Sequence, residues 1–228
     1  MKWKIILQNL RFISSFTIGT IYEKVIQDLL VPSLEKFCLP YHIFAKPDLG
    51  EWKINSRQRP LYIKEAMEMF SGENILWIDA DAKVMKYPEL LFHIPEFCQV
   101  GVCYLDWTQH YGRESDKGKT EILDGTSFYK NSPEMIPFIN EWIERSVHQN
   151  QNHRRILDHM IKERISGNLE LFMIPRDYCY ILTKPDGSAP AVPIKDCFIA
   201  HFQASRLARN NLYDDNDKNT PPGLKRKD

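Results

Sequence analysis

Asn74-Ile75-Leu76-Trp77-Ile78-Asp79-Ala80-Asp81 is the stretch whose reading decides the fold. Four bulky apolar residues in succession, without alternation, describe a strand buried on both faces, which is the signature of a sheet covered by helices on either side. The run ends in two carboxylates, and the carboxyl ends of buried strands are where α/β sheets place their ligands. Working outward, short apolar runs alternate with amphipathic ones. Ser15-Phe16-Thr17-Ile18-Gly19-Thr20 reads as a first strand, and the spacing of Val25, Leu29, Leu30, Leu34 and Phe37 predicts a helix over 22–37. Tyr41-His42-Ile43-Phe44-Ala45 reads as a second strand, and a helix over 60–70 brings Ile63, Ala66, Met67 and Phe70 onto one stripe. The expected fold class is α/β, a single Rossmann-like domain with a mixed, mostly parallel central sheet flanked by helices.

Further strands are expected over 99–104 and 121–129, with the polar stretch 106–119 between them read as a mobile loop beside a site. Ser132-Pro133-Glu134 opens a helix whose inner face carries Met135, Phe138, Ile139, Trp142 and Ile143, and another helix is expected over 154–165. Late strands are expected within 169–181 and 197–202. The domain is expected over 1–209, with a poorly ordered, Asn/Asp/Pro/Lys-rich tail over 210–228.

Composition bounds the function. The 228 residues carry 30 Lys+Arg against 30 Asp+Glu, which removes the bulk attraction that dominates non-specific nucleic-acid binding. Five cysteines without a CxxC pair suggest neither a disulfide framework nor a zinc cage, so a reducing, cytoplasmic setting is expected. The N-terminal apolar run is interrupted by Gln8, Asn9 and Arg11 and reads as mature protein, and no stretch approaches the roughly 20 apolar residues of a membrane span. Any membrane contact is expected to be peripheral.

The chemistry concentrates at Asp79 and Asp81. Two residues apart on an extended backbone, their carboxylates project to one side and can hold a Mg²⁺ or Mn²⁺ ion, which neutralises a diphosphate. The bland alternative is a strand-end turn, and Asp215-Asn216-Asp217 shows the same spacing in a polar tail. His201 follows the apolar run Phe198-Ile199-Ala200 and is a candidate third ligand or, taken alone, a structural histidine.

Taken in order, Thr17-Ile18-Gly19-Thr20-Ile21-Tyr22, Ile75 through Asp81, Gly125-Thr126 with Phe128-Tyr129, Leu157-Asp158-His159 and Ala200-His201-Phe202 resemble a nucleotide-diphospho-sugar transferase of the GT-A type. The likeness covers about residues 14–205 and is closest to the glycogenin and bacterial galactosyltransferase group. It implies that Thr17, Gly19, Thr20 and Tyr22 hold the nucleotide, the alternative for Thr20 being a plain helix cap. It implies that Asp79, Asp81 and His201 hold Mn²⁺ or Mg²⁺, with Asp79 also near the ribose, and that Arg59, or less directly Arg57, lies near the nucleotide phosphates. Gly125 and Thr126 would form a turn lining the donor sugar, with Asp124 beside it in place of the more common asparagine. Asp158 resembles the helix-borne acid near the reacting carbon, against the alternative of a surface acid paired with Lys162 at i+4.

The implied function is transfer of a hexose from a UDP-type sugar to a hydroxyl acceptor, with retention if the nearest group is followed. A glycan is the default acceptor, with protein and nucleic acid left open, and Trp107, His110, Tyr111 and Arg113 could form a sugar platform or lid, the alternative for the aromatics being packing on the core. Two rival readings are a metal-dependent phosphoryl-transfer enzyme or nuclease, for which no GxxxxGK[ST] loop is present, and a non-catalytic nucleotide-sugar-binding protein of the same fold.

Overall fold

Six strands make the central sheet in the computed structural model, which describes residues 9–50, 52–148, 151–165, 167 and 169–204. They are β1 (Leu10–Thr17), β2 (Tyr41–Lys46), β3 (Asn74–Ile78), β5 (Val100–Asp106), β6 (Thr120–Tyr129) and β7 (Leu171–Met173), β4 (Ala82–Val84) belonging to a second, smaller sheet. The order is β2-β1-β3-β6-β5-β7. β1 is parallel to β2 and β3, and β5 is parallel to β7, whereas β6 runs antiparallel to both β3 and β5. One strand of the six is therefore reversed, which bears out the mixed, mostly parallel sheet.

The apolar run of β3 is split by strand alternation into two cores. Leu76 and Ile78 join Phe12, Ile26, Leu30, Leu34 and Phe128 on one face. Ile75 and Trp77 join Ile13, Ile63, Met67, Tyr129, Phe138, Trp142 and Ile156 on the other. The first face is covered by α1 (Ile21–Val25), a π-helical turn (Ile26–Leu30) and α2 (Val31–Lys36). The second is covered by α4 (Arg59–Met69), α6 (Met135–His148) and α7 (His153–Arg164), with α3 (Trp52–Arg57) preceding α4. The helix expected over 22–37 is thus interrupted. Pro32, which has no N–H to give the helical ladder, sits at the start of α2 directly after the wider π turn.

Two further expectations are corrected. The first strand starts at Leu10 and ends at Thr17, because Gly19 takes a φ of 76° and the Thr20 hydroxyl donates back to the Thr17 carbonyl at 2.6 Å, closing a turn. The stretch 106–119 is not a bare loop. Asp106 caps α5 (Trp107–Tyr111) by accepting from the Gln109 N–H at 3.0 Å, and buried Asp116 gathers Arg113 at 2.7 Å and Lys119 at 3.0 Å.

The late strands are short: β8 (Tyr180–Ile181) and β9 (Ile199–His201) join β4 in the smaller sheet, in the order β4-β9-β8. β4 and β9 are antiparallel with Ala82 opposite His201, so this small sheet carries His201 to the end of β3. The expected tail over 210–228 lies outside the described residues. No described helix is long and apolar enough to cross a membrane.

Candidate metal centre and donor cleft

The chain leaves β3 at Ile78 and turns at once, with the Ala82 N–H donating to the Asp79 carbonyl at 2.9 Å. Asp79 and Asp81 therefore converge through this turn rather than through strand alternation, which corrects the geometry expected for them. Backbone pairing fixes the turn on both sides. The Asp79 N–H donates to the Gly125 carbonyl at 2.8 Å, and the Phe202 N–H donates to the Asp81 carbonyl at 3.0 Å. His201 arrives in register from β9. The result is a cluster of Asp79, Asp81 and His201 whose ligand atoms all lie within 4.8 Å of one another.

Each member is held by a distinct set of contacts. Asp79 Oδ1 accepts from Arg59 Nη2 at 2.6 Å and from Trp77 Nε1 at 2.9 Å. Asp81 is buried, and its Oδ2 accepts from the Ala204 N–H at 2.8 Å. Burial, with the neighbouring Asp79 carboxylate next in weight, pushes the Asp81 carboxyl up to about 7. His201 is buried with Nε2 2.9 Å from the Thr126 hydroxyl. Burial pulls its imidazole down, but Cys179 and Asp79 outweigh that effect and leave it raised.

Gly125 completes the centre by having no side chain. A Cβ there would stand 2.9 Å from Asp79 Oδ2, 2.9 Å from His201 Cε1 and 3.1 Å from His201 Nδ1. Two carboxylates and an imidazole closing over such a cradle fit a hard divalent cation, with Mn²⁺ accommodating the nitrogen better than Mg²⁺.

Behind the cluster runs a buried ionic network. Arg59, at the start of α4, places Nη1 2.8 Å from Asp124 Oδ2 while Nη2 holds Asp79, and its guanidinium lies 4.8 Å over the Trp77 ring. His153 Nε2, at the start of α7, is 3.1 Å from the same Asp124 oxygen. Burial opposes ionisation of Asp124, but Arg59 and then His153 overcome it and hold the carboxyl well below its usual range. Burial, with Arg59 next, lowers the His153 imidazole. Asp124 is thus an anion clamped by Arg59 beside a neutral histidine.

The cluster forms the floor of a cleft of ≈ 470 Å³ at the carboxyl ends of β1 and β3. Of the residues singled out from the sequence, Thr17, Thr20, Tyr22, Arg59, Asp79, Asp81, Asp124, Gly125 and His201 line it. Gly19 lies in the adjoining turn, where its N–H donates to Glu23 Oε2 at 2.9 Å. Thr20 occupies the N-cap position of α1 without a side-chain cap bond.

Other expected positions fall elsewhere. Gly125 and Thr126 are inside β6 and not in a turn, and the wholly buried Thr126 supports His201 instead of lining the cleft. Asp158 faces a second cavity, bonded to Lys162 at 2.8 Å and to the Tyr104 hydroxyl at 3.2 Å. Trp107 lines that second cavity too, while His110 is buried and Arg113 is spent on Asp116. Sequence reasoning missed His153, Trp77 and Cys179. For His153 a signal existed in Asn152, which caps α7 by accepting from the Arg154 N–H at 2.9 Å and so starts the helix one residue earlier than expected.

The fold is shared with solved glycosyltransferases. A glycosyltransferase involved in the glycosylation of the major capsid of PBCV-1 superposes with a TM-score of 0.61 at 17% identity, covering 89% of this chain and 98% of the other. The apo form of the glycosyltransferase GlyE from Streptococcus pneumoniae TIGR4 gives 0.55 at 11% identity over 85% of this chain, which spans 54% of GlyE. An active-site mutant of LgtC gives 0.50 at 10% identity, with 85% and 87% of the two chains covered. At these identities the likeness is one of fold, and it bears out the GT-A architecture that the motifs resemble. No protein-family model matches the chain, and no curated protein matches it in sequence.

Proposed function

We propose that this chain is a metal-dependent glycosyltransferase that moves a hexose from a nucleotide diphosphate sugar of the UDP type to a hydroxyl acceptor. The observation that carries the reading is the convergence of Asp79, Asp81 and His201 on the floor of a cleft at the carboxyl ends of β1 and β3, in a fold shared with glycosyltransferases. A divalent cation held by these three side chains would supply positive charge to the departing nucleoside diphosphate. Thr17, Thr20 and Tyr22 border the nucleotide end, where the tyrosine ring can stack on a base. Arg59 orients Asp79, and Asp124 in turn fixes Arg59.

Retention of anomeric configuration is part of the proposal. Inversion requires a general base free to take the acceptor proton. Among the described residues, Asp79 and Asp81 belong to the candidate metal site, Asp124 is clamped by Arg59, Asp158 is paired with Lys162 and the Tyr104 hydroxyl, Asp48 is engaged with Asn55 and the Gly50 N–H, and His153 turns Nε2 to Asp124 and keeps Nδ1 buried. In the retaining route the bond from the anomeric carbon to the diphosphate oxygen breaks, the acceptor oxygen bonds to that carbon from the same face, and the acceptor proton passes to the departing phosphate. Asp124 contributes negative charge near the cationic sugar. The domain is assigned to 1–209, and a cytoplasmic, reducing setting goes with its five free cysteines.

The test is Mn²⁺-dependent hydrolysis of UDP-glucose and UDP-galactose without acceptor, in the protein and in Asp81→Ala. Turnover that vanishes in Asp81→Ala supports the proposal. Equal turnover in the two proteins, or no turnover of any donor that binds, overturns it.

A further inference from the structure

A second cavity, of ≈ 850 Å³, opens beside the donor cleft. Its walls are Trp107 at the start of α5, Glu121 at the start of β6, and the α7 residues Arg154, Asp158 and Lys162, which follow one another at i+4 along a single helix stripe. Arg154 lines both spaces, so one side chain separates them.

The chemistry of these walls is specific. Each carboxylate already has a cation: Glu121 is 3.4 Å from Arg154, Asp158 is 2.8 Å from Lys162, and Glu163 is 2.9 Å from Arg145. With Arg145, Arg154 and Lys162 so engaged, a polyanion would find Arg155 as the one guanidinium without a carboxylate among the described lining, and an apolar ligand would find little besides Ile122 and the indole. Alternating carboxylates and ammonium or guanidinium groups suit a ligand whose groups both donate and accept hydrogen bonds. The Trp107 indole adds an aromatic surface. Vicinal hydroxyls above a C–H face meet all of these requirements together.

We infer that this cavity is the acceptor site and that the acceptor is a neutral, hydroxyl-rich glycan. The inference rests on the transferase reading above. Asp158, implied by resemblance to act at the reacting carbon, here recognises acceptor hydroxyls together with Lys162, and Arg154 borders both the acceptor and the donor.

The experiment measures binding to the full chain by saturation-transfer NMR. The probes are neutral di- to tetrasaccharides ending in glucose, galactose, mannose, xylose or fucose, with sulfated and sialylated saccharides and an oligonucleotide as separate arms. At least one neutral saccharide should bind at about 1 mM or more tightly, and Trp107→Ala should weaken it about tenfold, as loss of one aromatic contact of about 1.4 kcal/mol requires. Lys162→Glu, on an exposed side chain, should do the same without touching the core. Affinity for UDP with Mn²⁺ should stay within about twofold in both variants, which also reports that they fold. Binding of no neutral saccharide, binding of anionic probes alone, or saccharide binding indifferent to both variants overturns the inference. Saccharide binding that depends on both residues, in a protein that binds no UDP with Mn²⁺, leaves a glycan site and overturns the transferase reading instead.

Discussion

Replacing Gly125 by alanine places a methyl group inside the cluster of Asp79, Asp81 and His201 proposed to hold the metal. The added carbon would stand 2.9 Å from Asp79 Oδ2 and 2.9 Å from His201 Cε1, where relaxed non-bonded contacts lie at about 3.5 Å. Both ligands must therefore retreat by about half an ångström, whereas metal sites hold their ligand distances to within about 0.2 Å. Neither ligand is free to follow. Asp79 is pinned by Arg59 and Trp77, and His201 by Thr126. Changes one shell out from a metal commonly cost ten- to a hundredfold in affinity, and displacing two of three ligands should reach the upper end, about 2.7 kcal/mol.

The backbone argues the other way, which makes the test sharp. Gly125 is not among the residues at positive φ, so alanine meets no backbone strain there. Inside a strand it should otherwise stabilise by roughly 0.5–1 kcal/mol. Isothermal titration with Mn²⁺ reads the effect directly, and thermal unfolding in chelator shows the fold intact. If Gly125→Ala binds Mn²⁺ within about twofold of the parent protein, the cluster is not the metal site and the reasoning fails.

Other consequences are open to measurement. With the Asp81 carboxyl raised to about 7, Mn²⁺ must displace a proton below that pH, so apparent affinity should fall about tenfold per pH unit there. In chelator the sign reverses. A carboxyl whose folded pKa lies above its unfolded value binds its proton more tightly when folded, so thermal stability should decline as pH rises from about 4 to about 7. Removing Asp124 leaves Arg59 facing Asp79 alone, and Asp124→Ala should lose about 3–5 kcal/mol in urea unfolding, the range for breaking a buried pair, with under 1 kcal/mol refuting the network. Thr126→Val removes the hydroxyl at His201 Nε2 and should weaken Mn²⁺ binding about tenfold by titration, with Thr126→Ser restoring it.

The readable parts of this protein are those where local sequence and fold state coincide. β3 is legible because burial on both faces leaves no room for polar alternation, and Asp79 and Asp81 are legible because they interrupt that run abruptly. The supporting contacts are not local. Arg59 meets Asp124 from 65 positions away, and Thr126 meets His201 from 75. No periodicity encodes such pairs. Motif transfer also misplaces what helix geometry would place correctly. His153 begins α7 and faces the cleft, while Asp158, five residues on, is rotated about 140° and advanced about 7.5 Å along the axis, which turns it to the second cavity. Gly125 reads as a turn glycine only until the strand it occupies is seen to press against Asp79 and His201.

The cleft's charges decide how a diphosphate can enter it. Asp48, Asp79, Asp81 and Asp124 line it against Arg59 and Arg154, and both guanidiniums are already engaged, Arg59 by Asp79 and Asp124 and Arg154 by Glu121. Like charges 4 Å apart repel by about 4 kcal/mol at an effective dielectric near 20, so a nucleoside diphosphate approaching Asp79 and Asp81 is opposed unless a divalent cation intervenes. Chelator should therefore weaken UDP binding at least about a hundredfold, near 3 kcal/mol, and uridine, which lacks phosphates, should bind equally with and without Mn²⁺. Calorimetry of both ligands separates the two contributions. UDP affinity unchanged by chelator would mean that the chain's own cations hold the phosphates, and the neutral charge balance of 30 against 30 would then conceal a basic patch that the described cleft does not contain.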